Sequence, residues 1–214
     1  MAFSRWLAAA CLGLAAGSGS PAQQGEFGAA AGYGAYRNAS VYAPAGKAAA
    51  GFRNRFVFSL VLGEDLYERL AGEARYTYQD GDPFLEAAAL QTNIQGQSHA
   101  FHYDLLFHVR ERAAKLRPFV AVGGGVKIYR PSGPESPDHP LADIARLTTS
   151  TDARPLMTAG GGVKCSLRRD LLLRVDFRDY ITPFPKNLIA PAPFGTARGI
   201  FHQLTAMVGI SYRF

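Results

Sequence analysis

Between Leu171 and Ile181 the chain alternates strictly. Leu171, Leu173, Val175 and Phe177 fall on one side, and Arg174, Asp176, Arg178 and Tyr180 on the other. A period of two belongs to an extended strand and is incompatible with a helix, whose faces repeat every 3.6 residues. The pattern recurs. Phe101, Tyr103, Leu105, Phe107 and Val109 oppose His102, Asp104, His108 and Arg110. Leu70, Tyr76 and Tyr78 oppose Glu73, Arg75, Thr77 and Gln79, while Phe52, Phe56, Phe58, Leu60 and Leu62 oppose Arg53, Arg55 and Ser59. Eight such runs are predicted: Glu26 to Asn38, Gly51 to Leu62, Arg69 to Gln79, His99 to Arg110, Arg117 to Arg130, Arg154 to Leu167, Leu171 to Ile181 and Ile200 to Phe214. After the first residues, no stretch approaches the 18 or so apolar residues of a membrane-spanning helix.

The connections alternate in length. Gly63 to Glu68, Glu111 to Leu116 and Arg168-Arg169-Asp170 are short. Long ones follow the odd-numbered strands and carry Pro44, Gly81-Asp82-Pro83, Pro131 through Pro140 and Pro183 through Pro193. An even number of strands, with short turns at one end and long loops at the other, predicts an all-β fold. It is an eight-stranded antiparallel up-and-down transmembrane β-barrel with both termini on the short-turn side. The alternation itself also fits a soluble lipocalin-like carrier turned the other way, apolar side inward. Aromatic residues toward strand ends (Tyr33, Phe52, Tyr76, Tyr78, Phe101, Tyr103 and Tyr212) favour the membrane, where such rings form interfacial girdles. Charges of both signs on the polar faces favour it too, because they can pair in a closed lumen.

The last run places Leu204, Ala206, Val208, Ile210, Tyr212 and Phe214 on one face. This ending, together with strand number and loop asymmetry, resembles the small eight-stranded bacterial outer-membrane barrels, the family of the OmpA membrane domain and OmpX. The resemblance covers about Glu26 to Phe214. It implies a bacterial outer-membrane location with periplasmic termini, outer-membrane lipid around the wall, and a barrel-assembly machinery that reads Val208, Ile210, Tyr212 and Phe214. A monomer is expected.

The first 22 residues read as a cleaved signal peptide. Arg5 supplies the charge, Trp6 to Ala16 the apolar segment, and Ser20-Pro21-Ala22 the small residues before the cut, leaving 23–214 as the barrel domain. Cys11 follows Ala8-Ala9-Ala10 too closely for a lipoprotein signal, and without it Cys165 has no disulfide partner. The formal net charge of +6 is spread along strands and turns rather than gathered on one face, so no nucleic-acid partner is expected.

An eight-stranded barrel is just wide enough to be filled by its side chains. The inward set is predicted to be Arg53, Arg55, Glu73, Arg75, Asp104, Arg110, Lys127, Lys164, Arg174, Asp176 and Arg178, a charge network that plugs the lumen. It holds eight bases against three acids, an imbalance that demands bases at the rims or further acids. Gly123-Gly124-Gly125-Val126-Lys127 and Gly160-Gly161-Gly162-Val163-Lys164 lie mid-strand and lack the Gly-Lys-Ser/Thr of a phosphate loop. They are expected side by side at one height, making room for long arginines. His102 and Asp104 lie within reach of one another, but His108 is too far along the strand to complete a metal site. No His-x-Ser pair of the lipid-A deacylase kind occurs, and no catalytic residue or cofactor site is identified. A lipid-A-modifying barrel remains the enzymatic alternative. Any specific ligand is expected at the extracellular loops 80–98, 131–153 and 182–199, where Pro83-Phe84-Leu85 and the segment from Asn187 to Gly195 offer apolar side chains.

Overall fold

The computed structural model describes residues 24–135 and 139–214. The predicted signal peptide, with Arg5 and Cys11, lies outside the described residues. Among the described residues fifteen strands form: β1 (Gly25–Arg37), β2 (Ala39–Ala43), β3 (Gly46–Phe52), β4 (Arg55–Asp65), β5 (Leu70–Asp80), β6 (Pro83–Ala87), β7 (Leu90–Asn93), β8 (Gly96–His108), β9 (Leu116–Pro131), β10 (Ala145–Leu147), β11 (Asp152–Ser166), β12 (Leu171–Pro183), β13 (Ile189–Pro191), β14 (Thr196–Arg198) and β15 (Ile200–Arg213).

Eight of them close an antiparallel barrel in the order β1-β15-β12-β11-β9-β8-β5-β4. Closure leaves no unpaired strand edge. At the seam the Gly25 amide donates to the Phe214 carbonyl (3.0 Å) and the Phe214 amide to the Gly25 carbonyl (2.9 Å). The Phe214 ring lies so close over Gly25 that a Cβ there would sit 2.5 Å from it. Both described ends of the chain and all three short turns share one end of the barrel.

The alternation resolves into an apolar outside and a charged inside. On β12, Val175 and Phe177 are exposed while Arg174, Asp176 and Arg178 are fully buried. The same holds for Phe101, Tyr103, Leu105 and Phe107 against His102, Asp104 and His108 on β8, and for Leu204, Val208, Ile210 and Tyr212 against Gln203, Thr205 and Ser211 on β15. A soluble carrier needs the opposite arrangement, so that alternative does not fit. Tyr33, Tyr76 and Tyr78 lie toward the far end of the wall, and Phe27, Tyr212 and Phe214 toward the terminal end. Phe101 and Tyr103 sit in mid-strand instead of at a rim.

Three expectations are corrected. The second wall strand begins at Arg55, not Gly51. The chain bends at Arg53 and Asn54, where the Tyr36 amide donates to Asn54 Oδ1 (3.0 Å) and the Arg53 amide to the Asp82 carbonyl (2.9 Å). The bend carries Phe52 off the outer wall and buries it at 4% exposure. The long connections, second, are not open loops. β14-β2-β3-β6-β7 make a five-stranded sheet and β10-β13 a two-stranded one, which together cap the barrel. Their shared core includes Val41, Leu85, Ile94, Leu141, Leu147, Leu188 and Ile189. Phe84 and Leu85 are therefore buried rather than displayed. Finally, the glycine triplets occupy successive heights on β9 and β11, not one: Gly123 pairs with Thr158, and Gly160 with Ala121. They do make room inside, since a Cβ on Gly123 would meet Asp104 Oδ1 at 2.1 Å and one on Gly162 would meet Asp176 Oδ1 at 3.1 Å.

Val175→Arg places a guanidinium on the exposed apolar face midway along β12 and should destabilise the membrane-inserted barrel by about 2–4 kcal/mol. Urea unfolding in phospholipid vesicles, read by heat-shifted gel migration, measures it. An unchanged midpoint would mean that this face does not meet lipid.

Candidate functional site

The densest chemistry lies on the barrel axis. Glu73 and Arg75 come from β5, Asp104 and His102 from β8, Lys164 from β11, Arg174, Asp176 and Arg178 from β12, and Glu26 from β1. On each strand the inward positions are two residues apart, so a single strand can present acid and base in succession. Arg75 donates through Nε (2.9 Å) and Nη2 (2.6 Å) to Glu73 Oε1, and through Nη2 to Asp176 Oδ2 (3.1 Å). Arg174 donates to Asp176 Oδ2 (2.9 Å), Glu73 Oε2 (2.8 Å) and Glu26 Oε1 (3.1 Å). Arg178 reaches Asp104 Oδ2 (2.5 Å) and Glu73 Oε1 (3.4 Å). Lys164 donates to Glu26 Oε2, and Asp104 also accepts from Thr158. His102 Nδ1 lies 2.9 Å from Asp104 Oδ1.

Four acids (Glu26, Glu73, Asp104, Asp176) thus meet four bases (Arg75, Lys164, Arg174, Arg178). Neutrality matters here because an uncompensated buried ion costs several kcal/mol. Glu73 is the hub, touched by three guanidinium groups. None of these eight side chains is more than about a tenth exposed, and Arg174, Arg178 and Asp104 are fully shielded. A water-filled bore would leave them accessible. The barrel axis is sealed.

Of the predicted inward set, Glu73, Arg75, Asp104, Lys127, Lys164, Arg174, Asp176 and Arg178 are buried. Arg53, Arg55 and Arg110 are not. Arg53 lies in the bend before β4 with its guanidinium over the Phe84 ring, and Arg55 emerges at the strand end to pair with Asp82 (2.7 Å) and Asp80 (3.7 Å). Arg110 lies beyond the last residue of β8 and is exposed. Glu26 was missed, although its spacing from Gly28 and Ala30 puts it on the inward face; the small residues around it conceal the alternation. Asp65 was missed as well. It pairs with Arg112 (3.2 Å) and the buried Arg117 (3.5 Å) at the terminal end. These two acids and the three displaced arginines remove most of the charge imbalance that the sequence left open. His108 lies toward the terminal end, beyond the reach of the His102–Asp104 pair, and tilts against Phe119.

Lys127 stands apart, above the charge cluster. It donates to Tyr36 Oη (2.8 Å) and to Gln203 Oε1, with Tyr36, Tyr129 and Tyr180 ring centroids at 4.7, 5.1 and 5.9 Å. Above it, Phe52 stacks on Tyr129 (4.9 Å) and meets Tyr36 (5.0 Å) and Phe201 (5.6 Å). An aromatic plug thereby joins barrel to cap.

A sealed, charge-filled eight-stranded barrel with an apolar exterior has the fold of the small outer-membrane β-barrel proteins. Neisserial surface protein A has this fold, with a TM-score of 0.55 over 92% of this chain and 100% of that one at 10% identity. So does the outer membrane protein OprG from Pseudomonas aeruginosa, at 0.53 over 89% of this chain and 96% of that one, with 11% identity. At such identities the likeness speaks for the fold alone. The sequence matches no protein-family model and no curated protein.

Glu73→Gln removes the charge that three guanidinium groups share and should cost about 3–5 kcal/mol. Equilibrium unfolding compared with the wild type measures this. A loss below 1 kcal/mol would mean that the guanidinium groups find water or another acid, contrary to a sealed core.

Proposed function

We propose that this protein is a bacterial outer-membrane barrel with both termini in the periplasm, acting through its extracellular cap in adhesion, binding or envelope integrity rather than by conducting solutes. The observation that carries this reading is the combination of a closed lumen with a cap that has its own hydrophobic core. A barrel built to conduct has no use for a neutral plug of four acids and four bases. A barrel built only to sit in the membrane has no use for a folded cap. The short turns beside Gly25 and Phe214 support a periplasmic position for that end, since barrels of this type keep their short turns there.

The segment 182–199 supplies a point of contact. Phe194 is 96% exposed and holds a left-handed backbone at φ +63° between Pro193 and Gly195. A bulky residue rarely takes that conformation, and such strain collects at functional loops. In the cap this segment is bordered by β2, which pairs with β14, and by β10, which pairs with β13. The exposed stripe Val208, Ile210, Tyr212 and Phe214 belongs to the strand that closes the wall, which suits recognition by an assembly machinery.

In planar lipid bilayers the refolded protein should give no discrete conductance steps at any applied voltage. Sustained channel openings would overturn the sealed-barrel reading, since this requires a bore through the arginine cluster.

Phe214→Ala removes the ring over Gly25 while keeping the backbone bonds of the seam. It should slow the appearance of heat-shifted, protease-resistant protein in pulse-chase by several-fold, although the ring is 68% exposed and packs little. Unchanged kinetics would remove Phe214 from the assembly signal.

A further inference from the structure

A groove of about 810 Å³ lies on the outer surface where barrel meets cap, between the end of β1 with β2 and the junction of β14 with β15. Arg37, Asn38, Ser40, Tyr42, Thr196 and His202 line it. Its volume is that of a small-molecule site. Gly199, at φ +136°, makes the turn from β14 into β15 that opens it, a conformation that side-chain-bearing residues rarely adopt.

Among its lining residues the charge is one-sided. No carboxylate lines the groove, and Arg37 is exposed without a hydrogen-bond or ion-pair partner among the described residues. Most other arginines of the wall have one. His202 lies 2.7 Å from Asp179 Oδ2, a carboxylate on the outward face of β12 beside Leu204 that holds the ring and is not itself part of the lining. Lys47 lies over the Tyr42 ring at 5.3 Å and brings a second cation to the rim. Hydroxyls of Ser40 and Thr196 complete a donor-rich lining.

Position selects the occupant. Arg37 pairs with His202 in the last row of the β1–β15 ladder. Directly below on the same outward face come Ala35 and Leu204, then Tyr33 and Ala206, the upper edge of the exposed apolar wall. A ligand here has polar donors around one part and a greasy wall beneath the other. From this we infer that the groove binds the phosphate-bearing headgroup of a membrane lipid, with Arg37 as the phosphate ligand and the acyl chains running down β1 and β15. A guanidinium fork suits phosphate oxygens in pairs.

This inference rests on the membrane reading of the wall, and the two can fail separately. Protein purified in dodecyl maltoside is offered lipid A with its phosphates and the same lipid dephosphorylated, and bound lipid is counted by native mass spectrometry. The wild type should prefer the phosphorylated form by roughly fivefold or more, about the share of one basic residue at a charged surface. Arg37→Gln should lose that preference. Arg37→Lys should keep part of it. Arg130→Gln, which removes an exposed arginine from the same end of the wall on β9, should keep all of it. All variants are first checked for heat-shifted migration, which an exposed side chain such as Arg37 should not disturb. Equal binding of both lipids, or equal losses in Arg37→Gln and Arg130→Gln, overturns the site while leaving the barrel in the membrane. Competition by soluble glucosamine phosphate as strong as by the lipid overturns the lipid assignment in favour of a small anion. Protein that never partitions with membranes overturns the membrane reading itself.

Discussion

Glu73 accepts hydrogen bonds or ion pairs from Arg75, Arg174 and Arg178 at the centre of a barrel whose outer face is apolar. Everything else in the molecule is arranged around that constraint. An apolar exterior obliges the polar residues of each strand to point inward, and eight strands leave little space for water there. Charges must then be neutralised by one another. The alternation of acid and base at two-residue spacing, as in Glu73–Arg75 and Arg174–Asp176–Arg178, is the sequence form of this requirement. The glycines of β9 and β11 are its steric counterpart, since Asp104 and Asp176 occupy the volume that side chains at Gly123 and Gly162 would take.

The wall was legible in the sequence because one side is greasy and the other charged, so each strand declares its register. Of the eight barrel strands, only β4 has a start displaced by more than a few residues. There the phase of the aromatic residues continues through Phe52 into Phe56 although the chain bends between them. Period alone does not reveal a bend that preserves parity. The axis was legible for the same reason, apart from its ends. Arg53, Arg55 and Arg110 have inward phase but lie where the wall gives out, and long arginines turn to water or to a nearby Asp82. Glu26 was hidden by glycine and alanine neighbours, which carry no contrast.

The cap was not legible. Its strands are three to seven residues long, and their inward partners come from four different connections. β2 finds both β3 from its own hairpin and β14 from a segment more than 150 residues away. No local signal encodes such a pairing. Proline and glycine in these segments announce turns but say nothing about what lies between them. Phe84 and Leu85 look like displayed apolar residues until Val41, Ala48 and Ile94 are seen to cover their neighbourhood.

A plugged axis and a self-contained cap together restrict where this protein can meet anything else. The charge cluster closes the barrel from within, and the stack of Phe52, Tyr129, Tyr36 and Phe201 closes its mouth. Lys127 lies between them, tied to Gln203 of the wall and to Tyr36 of the plug, so cap and barrel are one packed body. What remains accessible is the outer surface: the apolar belt, the cap with its exposed Phe194, and the polar groove where cap and belt meet. The belt alone would accept any lipid. The groove is different because it places an unpaired guanidinium immediately above the apolar rows, in a position that no contact within the fold requires. Among the described residues Arg37 forms no internal ion pair, which makes the surroundings of the barrel, rather than its folding, the natural explanation for that residue.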